Sequence, residues 1–180
     1  METEVAEALE PLDIVDDRTP FAKWCDRDGP PAMPSKVYVA SSWRNMLQPA
    51  IVGALRSAGI DVYDFKNPAP GNNGFSWREI HPNWQSWSPA EWRSALAHPV
   101  AQHGYRLDKE GMDSSECCVL VLPCGRSAHL EAGYMAGQGK RVFTLVLEKC
   151  EPELMSLLLG PNWHICTNMD ELLENLGVPN

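Results

Sequence analysis

The sequence predicts an α/β fold with a five-stranded parallel sheet and helices on both faces. Five short apolar runs alternate along the chain with segments of helical periodicity, and this alternation is typical of parallel sheets. The runs carry few polar residues, as expected of strands that are buried on both faces. A length of 180 residues, with 44% hydrophobic and 22% charged residues, fits one packed domain and excludes general disorder.

Residues 1–35 are predicted to be an acidic extension that precedes a single catalytic domain at residues 36–180. They contain five prolines, and residues 1–30 hold nine acidic and three basic residues. Such a segment has too little apolar surface to form a core of its own, so we expect a poorly ordered or draped tail. Its apolar anchor is residues 21–24, which would dock on the pocket or on a neighbouring subunit if the tail is ordered.

Charge and cysteine usage exclude several classes of protein. The net charge is −9, of which residues 31–180 carry only −3, so the domain has no basic excess for a nucleic acid polymer. No run of 18 apolar residues would span a membrane, and the N-terminus lacks the features of a secretory signal. The six cysteines show no metal-binding spacing, which indicates thiols in the cytoplasm.

The individual elements follow from hydrophobic spacing. Apolar runs predict strands at residues 36–41, 60–65, 117–123, 141–147 and 163–166. Spacings of three and four residues predict helices at residues 43–58, 89–97, 100–115, 127–138, 151–159 and 169–176. Ser88, Pro89 and Glu91 have the order of a helix N-terminus, and Gly59 ends the first helix.

This order of elements predicts a flavodoxin-like or Rossmann-like sheet, because right-handed crossovers leave few other topologies. In such sheets ligands bind beyond the carboxyl ends of the strands, at the switch point between the first and third strands. We therefore expect the site among the loops that follow Ala40, Phe65 and Leu122.

The stretch with the clearest chemical content is residues 122–134. It leaves a buried strand, turns at Gly125 and enters a helix at about Ser127, where unpaired N–H groups and Arg126 would bind a small anion. Glu131 lies four residues after Ser127, on the same helix face, where a carboxylate can act as a nucleophile or a base. The alternative is structural: Ser127 caps the helix, Arg126 is solvated and Glu131 makes a charge pair.

Three further residues are candidates because the topology places them near the switch point. Tyr38 lies in the first strand, Trp43 follows in the next loop, and Asp108 lies on the helix before the third strand. Each also has an ordinary explanation, since a strand tyrosine is usually packing and a helix aspartate is usually solvated.

These residues occur in motifs that resemble the nucleoside 2-deoxyribosyltransferase superfamily, which includes the 2′-deoxynucleoside 5′-monophosphate N-glycosidases. The motifs are KVYVASSW at residues 36–43, Asp108 with Met112 four residues later, and HLEAGY at residues 129–134 followed by Gly137 and Lys140. Their order and spacing carry the resemblance, which spans about residues 36–150.

The resemblance implies a role for each motif residue. Glu131 would attack C1′ of the sugar, Tyr38 would orient that carboxylate, and Asp108 would handle the proton on the base. Retaining glycosyl transfer does need one carboxylate as nucleophile and a second as acid and then base. Substrate contacts are expected from the motif residues Ser41, Trp43 and Tyr134. The resemblance also implies a homo-oligomer, and it implies no cofactor or metal.

One departure from the family concerns the substrate. Deoxyribosyltransferases usually have an acidic residue six positions before the nucleophile, and this chain has Gly125 there, followed by Arg126 and Ser127. A Gly-Arg-Ser helix start suits a 5′-phosphate better than a free hydroxyl. We therefore expect a nucleotide substrate rather than a nucleoside, and hydrolysis rather than base exchange.

The second departure is a tryptophan-rich insert at residues 67–98. Its four tryptophans are expected mostly to pack the insert on the sheet, with Trp77 or Trp84 as the exception that stacks on a base. Asp64 and Phe65, at the end of the second strand, would line the same pocket. His129 points to another side of its helix than Glu131 and is expected to be a neighbour contact.

The sequence therefore favours an N-glycosidase that acts on a nucleotide or a nucleotide derivative. Base exchange on a deoxynucleoside and a TIR-like NAD glycohydrolase remain enzymatic alternatives. A nucleotide sensor without turnover is the alternative of another class, although it would not need Glu131, Tyr38 and Asp108 together. A lysine-decarboxylase-like phosphoribohydrolase is disfavoured, because its PGGxGTxxE motif is absent.

Overall fold

The computed structural model describes residues 32–179. Residues 21–24 and nearly all of the predicted extension lie outside the described residues. The described chain contains a five-stranded, all-parallel sheet with the strand order β2-β1-β3-β4-β5. The strands are β1 Lys36–Ala40, β2 Asp61–Asp64, β3 Cys117–Val121, β4 Arg141–Leu145 and β5 Trp163–Cys166.

The strand order confirms the predicted flavodoxin-like topology. The chain goes from β1 outward to β2 and then crosses back to place β3 on the other side of β1. The switch point therefore lies between β1 and β3. In this register Tyr38 stands opposite Tyr63 of β2 on one side and opposite Cys118 of β3 on the other.

The helices form two layers on the sheet. One layer consists of α1 and α5, and the other contains α3 and α4 together with a 3-10 segment, Leu154–Leu159. A shorter helix, α2, belongs to the insert. The helices are α1 Gln48–Ser57, α2 Pro89–Ala95, α3 Pro99–Ser114, α4 Arg126–Gly137 and α5 Met169–Asn175.

Alternation along β1 decides which residues face the site. Val37 and Val39 are fully buried in the core with α1 and α5, whereas Tyr38 and Ala40 are fully buried on the opposite face, with α4. Side chains in a strand alternate between faces in this way. The α3 and α4 face therefore carries Tyr38 and Tyr63, and the core on the other face is mainly aliphatic, with Phe143 as its aromatic residue.

The first helix starts later than predicted. Asn45 accepts hydrogen bonds from the backbone N–H groups of Leu47 and Gln48 at 2.8 and 3.2 Å, and its amide donates to the carbonyl of Pro123. These contacts hold residues 43–47 as a turn, so that α1 begins at Gln48. The prediction of helix from residue 43 was wrong because the apolar spacing did not reveal this contact with the loop after β3.

Two other boundaries differ from prediction. Residues 151–159 form a 3-10 segment over Leu154–Leu159 instead of an α-helix, between Pro152 and Gly160. The helix predicted from Ser127 begins at Arg126, with Gly125 at the N-cap and no side-chain cap. Ser127 is therefore inside the first turn and is not the capping residue.

The insert is an ordered connection between β2 and α3. Ser76 and Ser88 each form a complete capping box, with Glu79 and Glu91 respectively, and the second of these confirms the helix start predicted at Ser88. Two 3-10 turns, Trp77–Glu79 and Trp84–Ser86, lie between them. Among the described residues no helix is long and apolar enough to cross a bilayer.

Candidate active site

The site is built on a pair of tyrosines from neighbouring strands. Tyr38 and Tyr63 stand opposite each other in the β1–β2 register. Their rings stack in nearly parallel planes, 9° apart, with centroids separated by 5.2 Å. Both side chains are buried, so the sheet fixes the direction in which the two hydroxyl groups point.

Helix α3 supplies the first carboxyl group. The Tyr63 hydroxyl donates a hydrogen bond of 2.9 Å to Oδ1 of Asp108. This contact requires α3 to lie close to β2, and Gly111 allows it: a Cβ atom there would lie 2.6 Å from the Tyr63 ring. Asp108 and Gly111 are three residues apart and share a helix face. Tyr63 therefore packs on the helix and orients its carboxylate.

The environment of Asp108 favours its neutral form. Burial raises the pKa of Asp108, and the hydrogen bond from Tyr63 opposes this rise without cancelling it. A carboxyl group whose pKa is raised can hold a proton closer to neutral pH, which a general acid needs.

Helix α4 supplies the second carboxyl group, in its second turn. Burial raises the pKa of Glu131 to about 7, and the nearby charge of Asp108 adds to this rise. The Tyr38 hydroxyl acts in the opposite direction and lowers the pKa of Glu131. Two carboxyl groups that disfavour each other's ionisation titrate as a pair. A carboxyl group with a pKa of about 7 can exchange its proton at neutral pH.

The Tyr38 hydroxyl can donate a hydrogen bond to Glu131. Burial, followed by the charges of Glu131 and Asp108, raises the pKa of Tyr38 far above its usual value, so the phenol stays protonated. Its hydroxyl is buried and has no well-formed hydrogen bond within residues 32–179, although it lies near enough to Glu131 to affect that pKa. An unpaired buried hydroxyl is costly, and a small shift toward the Glu131 carboxylate would satisfy it.

A small cavity of about 100 Å³ opens beside Asp108. Its walls come from the end of β2, the insert and one face of α3, including Phe65, Phe75, Glu79, His103, Leu107 and Asp108. Phe65 was predicted to line the pocket, and it lies in this wall. Trp43 is half exposed at 51% and packs edge-on against Phe65, with ring centroids 5.2 Å apart.

The start of α4 lies at the carboxyl end of β3. Arg126 and Ser127 are exposed there, and the first turn of the helix has no side-chain cap. His129 turns back toward the loop, with Nδ1 3.1 Å from the Gly125 carbonyl oxygen and 3.5 Å from Sγ of Cys124. It is thus a neighbour contact, while the N–H groups of the first turn and the Arg126 guanidinium remain open to a ligand.

Three predicted substrate contacts have structural partners instead. The Ser41 hydroxyl donates to the carbonyl of Val121 and ties β1 to the end of β3. The Tyr134 hydroxyl donates a hydrogen bond of 2.7 Å to Asp113, and this bond links α4 to α3. The Asp64 carboxylate is buried and accepts hydrogen bonds from the Gln48 amide, the Lys66 backbone and the Asn67 amide, which shape the loop after β2.

Trp77, the remaining predicted contact, lies deeper in the insert. It packs edge-on against Phe75 with centroids 4.7 Å apart, and against Trp87 with centroids 5.6 Å apart. It is therefore separated from the cavity beside Asp108 by the ring of Phe75, which lines that cavity.

Sequence reasoning missed Tyr63 and Gly111. A signal for Tyr63 was present, because Tyr63 and Phe65 are two residues apart and share one face of a strand that had to lie beside β1. Placing the two strands in register would have put Tyr63 next to Tyr38. Gly111 gave no signal of its own, since its role depends on how closely α3 approaches the sheet.

No protein-family model matches the sequence, and a search of curated proteins finds no match either. Solved structures do match. A conserved protein from Enterococcus faecalis V583 is 18% identical, with a TM-score of 0.50, over 81% of this chain and 98% of that chain. Likeness at this level of identity is a likeness of fold.

Two enzymes are also among the solved structures. A 2-deoxyribosyltransferase from Bacillus psychrosaccharolyticus is 19% identical, with a TM-score of 0.46, over 76% of this chain and 89% of that chain. The CMP N-glycosidase BcmB from Clostridium botulinum is 15% identical, with a TM-score of 0.44, over 79% of this chain and 98% of that chain.

Proposed function

We propose that the protein is an N-glycosidase that cleaves the bond between base and sugar in a nucleotide. The observation that carries the proposal is the pair of interacting carboxyl groups, Asp108 and Glu131, each beside a tyrosine hydroxyl at the switch point of the sheet. Retaining glycoside cleavage uses two carboxyl groups with separate roles, and their environment sets which one holds the proton.

Cleavage of the bond between base and sugar proceeds in two steps. In the first, the Glu131 carboxylate bonds to C1′, the C1′–N bond breaks, and the leaving base takes the proton from Asp108. In the second, water attacks C1′ of the glycosyl ester, Asp108 accepts a proton from that water, and the Glu131 carboxylate is released. The Tyr38 hydroxyl donates to whichever Glu131 oxygen does not react, which orients the nucleophile.

The reaction needs Glu131 ionised and Asp108 protonated. Burial raises the pKa of both carboxyl groups, that of Glu131 to about 7, so the active form of the enzyme carries one proton on the pair. More acidic solution protonates Glu131, and more alkaline solution removes the proton from Asp108. We therefore expect kcat/KM to depend on pH with a bell-shaped profile.

The anion site supports a nucleotide rather than a nucleoside. Arg126 and the uncapped first turn of α4 lie at the carboxyl end of β3, on the helix that carries Glu131. A phosphate there would bind both the helix N-terminus and the guanidinium. Gly125 leaves this approach open, because a Cβ atom at that position would meet no atom within 4 Å.

A homo-oligomer is part of the proposal, supported by an exposed apolar surface. In the 3-10 segment Leu154 is 73% exposed, Leu157 69% and Leu158 74%, and Leu130 on the neighbouring helix α4 is 75% exposed. Large apolar side chains exposed on two contacting elements are candidates for an interface. Leu157→Glu should lower the mass measured by light scattering, whereas an unchanged mass would remove this surface from the interface.

The proposal is tested by incubating the protein with nucleoside 5′-monophosphates, the matching nucleosides and NAD, and measuring free base by chromatography. Release of base from monophosphates is expected. Turnover of NAD alone would indicate the NAD glycohydrolase instead, and base exchange in the presence of a second base would indicate the transferase. Binding without any release would leave a sensor.

A trapping experiment separates the roles of the two carboxyl groups. A 2′-fluoro nucleotide slows the second step, so the glycosyl group should remain on the enzyme. Peptide mass spectrometry is expected to find it on the peptide that contains Glu131. A label on the Asp108 peptide would reverse the two roles, and no label with active substrate would exclude a covalent mechanism.

A further inference from the structure

A second cavity, which we call the tryptophan groove, lies in the insert, apart from the carboxyl pair. It has a volume of about 420 Å³ and is lined by Trp77, Trp84, Gln85, Trp87, Pro89 and Trp92. None of these lining side chains is charged. The cavity beside Asp108 has about 100 Å³, so the tryptophan groove is the larger of the two.

The groove is held open by its own scaffold. Trp77 and Trp87 meet edge-to-face at 80°, which sets two walls at nearly a right angle. The capping boxes at Ser76 and Ser88 fix the turns on either side. Trp92 projects from α2 and is 57% exposed. Trp77 and Trp87 therefore pack against each other and form two walls of an open space.

The groove is also fixed relative to the candidate active site. Phe75 packs on α3 at Gly104, where a Cβ atom would lie 2.8 Å from Cβ of Phe75. The same Phe75 ring contacts Trp77 edge-on and lines the cavity beside Asp108. Phe75 thus connects the two cavities: it lines the one beside Asp108 and packs on Trp77, which lines the groove.

The lining specifies the chemistry of the ligand. Indole faces bind planar rings by stacking, and a nucleobase gains free energy on an aromatic platform regardless of its identity. The size lies within the range of small-molecule sites, and Gln85 offers an amide that can donate and accept. An anionic group would use this lining poorly, because the described lining contains no positively charged side chain.

We propose that the tryptophan groove is a stacking site for a nucleobase, distinct from the carboxyl pair. A ring bound there would lie next to the cavity beside Asp108, so a ligand with a base in the groove can reach that cavity with its sugar or phosphate. Binding of the ring depends on the indoles alone and does not require the glycosidase reaction.

The test is a titration of the full-length protein with adenosine, guanosine, cytidine and uridine, followed by quenching of tryptophan fluorescence and by calorimetry. Ribose 5-phosphate serves as the probe without a ring. The Glu131→Gln variant is titrated in parallel, so that turnover cannot remove the ligand. Saturable binding of at least the purine nucleosides, without binding of ribose 5-phosphate at the same concentrations, is expected.

Substitutions of the groove tryptophans test where the nucleosides bind. Trp92→Ala and Trp84→Ala should raise the Kd for the purine nucleosides by about fivefold to a hundredfold, the loss expected for one stacking platform. Trp163→Phe is the control, because Trp163 belongs to β5 at the far edge of the sheet and donates to Thr144. Circular dichroism and melting curves show which variants are folded. Trp92 is the most exposed of the four groove tryptophans, so the Kd of Trp92→Ala decides whether the nucleoside binds in the groove.

Several outcomes would overturn the proposal. Absence of saturable binding for all four nucleosides would do so, as would an unchanged Kd in the folded Trp92→Ala variant. Dissociation of an oligomer by Trp92→Ala without any nucleoside binding would assign the groove to a second copy of the chain. Base release by the natural protein, together with a nucleoside Kd that is the same in the natural protein and in folded Trp92→Ala, would refute the groove and leave the N-glycosidase intact.

Discussion

The tyrosine and carboxyl cluster and the tryptophan groove are built in opposite ways, although Phe75 lines the cavity beside Asp108 and also packs on Trp77 of the groove. The cluster takes its side chains from strands and long helices, has buried tyrosines and half-buried carboxyl groups, and brings together charges that disfavour one another. The groove takes its side chains from turns and a short helix, is open to solvent, and has no charged lining. Buried, rigid placement suits bond breaking, whereas open aromatic walls suit ring binding, and mutations should separate these two behaviours.

The largest expected effect is on turnover, at Glu131. Glu131→Gln keeps the size and hydrogen bonding of the side chain but removes the nucleophilic charge. We expect turnover to fall by at least about a thousandfold, equivalent to roughly 4 kcal/mol of barrier, with nucleoside binding in the groove retained. Glu110→Gln, at an exposed position of α3, is the control. Turnover of Glu131→Gln within tenfold of the natural protein would exclude Glu131 as nucleophile.

Arg126→Ala should have the next largest effect, and a selective one. A charge-assisted hydrogen bond to phosphate contributes roughly 1.5–3 kcal/mol, so kcat/KM for a nucleotide should fall about tenfold to a hundredfold. The matching nucleoside should lose little. Steady-state kinetics on both substrates measure the difference, and an equal loss on both would mean that Arg126 does not contact the phosphate.

Gly111→Ala tests the close approach of α3 to β2. The added methyl group meets the Tyr63 ring, and overpacking of this kind costs about 1–3 kcal/mol of unfolding free energy. Asp108 should also lose its alignment, so turnover should fall together with stability. Gly53→Ala is the matched control, since a Cβ atom there meets no atom within 4 Å; it should stabilise the helix by about 0.5–1 kcal/mol. Urea unfolding measures the change in unfolding free energy in both variants. An equal change in Gly111→Ala and Gly53→Ala would contradict the close packing of Gly111 on Tyr63.

The smallest effect is on the pH dependence of stability. Burial raises the pKa of Glu131 to about 7 in the folded protein, so the neutral form is favoured on folding. This contribution is complete below the unfolded pKa of about 4.3 and is lost as the pH rises through about 7. Glu131→Gln should therefore raise the melting temperature by a few degrees at pH 8 and by less at pH 5. A gain of the same size at both pH values would show that Glu131 ionises freely.

Local signals in the sequence were sufficient for the fold. The capping box at Ser88 and the glycine after α1 were predicted correctly, because caps depend on neighbours within a few residues. The alternation of strands and helices predicted a parallel sheet of the flavodoxin-like or Rossmann-like kind, and the strand order is the flavodoxin-like one. The start of α1 was wrong, because Asn45 contacts the carbonyl of Pro123, 78 residues away. A contact of that separation leaves no trace in helical periodicity.

The site was predictable only in part, for a related reason. Glu131, Asp108 and Tyr38 come together as the motifs suggested, and their assigned roles remain predictions. The hydrogen bond from Tyr63 to Asp108 depends on the register between β1 and β2 and on Gly111. Conversely, Ser41, Asp64 and Tyr134 looked like site residues by position, but their polar atoms already have partners in the protein.

The position of the insert along the chain has a consequence for how such a protein can diversify. Residues 67–98 lie within the crossover from β2 to β3, outside every strand, and contact α3 through Phe75 at Gly104. Replacement of this connection would leave the β1 register and both carboxyl groups in place. In the function and the groove that we propose, recognition of the ligand's ring and cleavage of its bond use separate stretches of sequence, so an engineer could exchange the first while keeping the second.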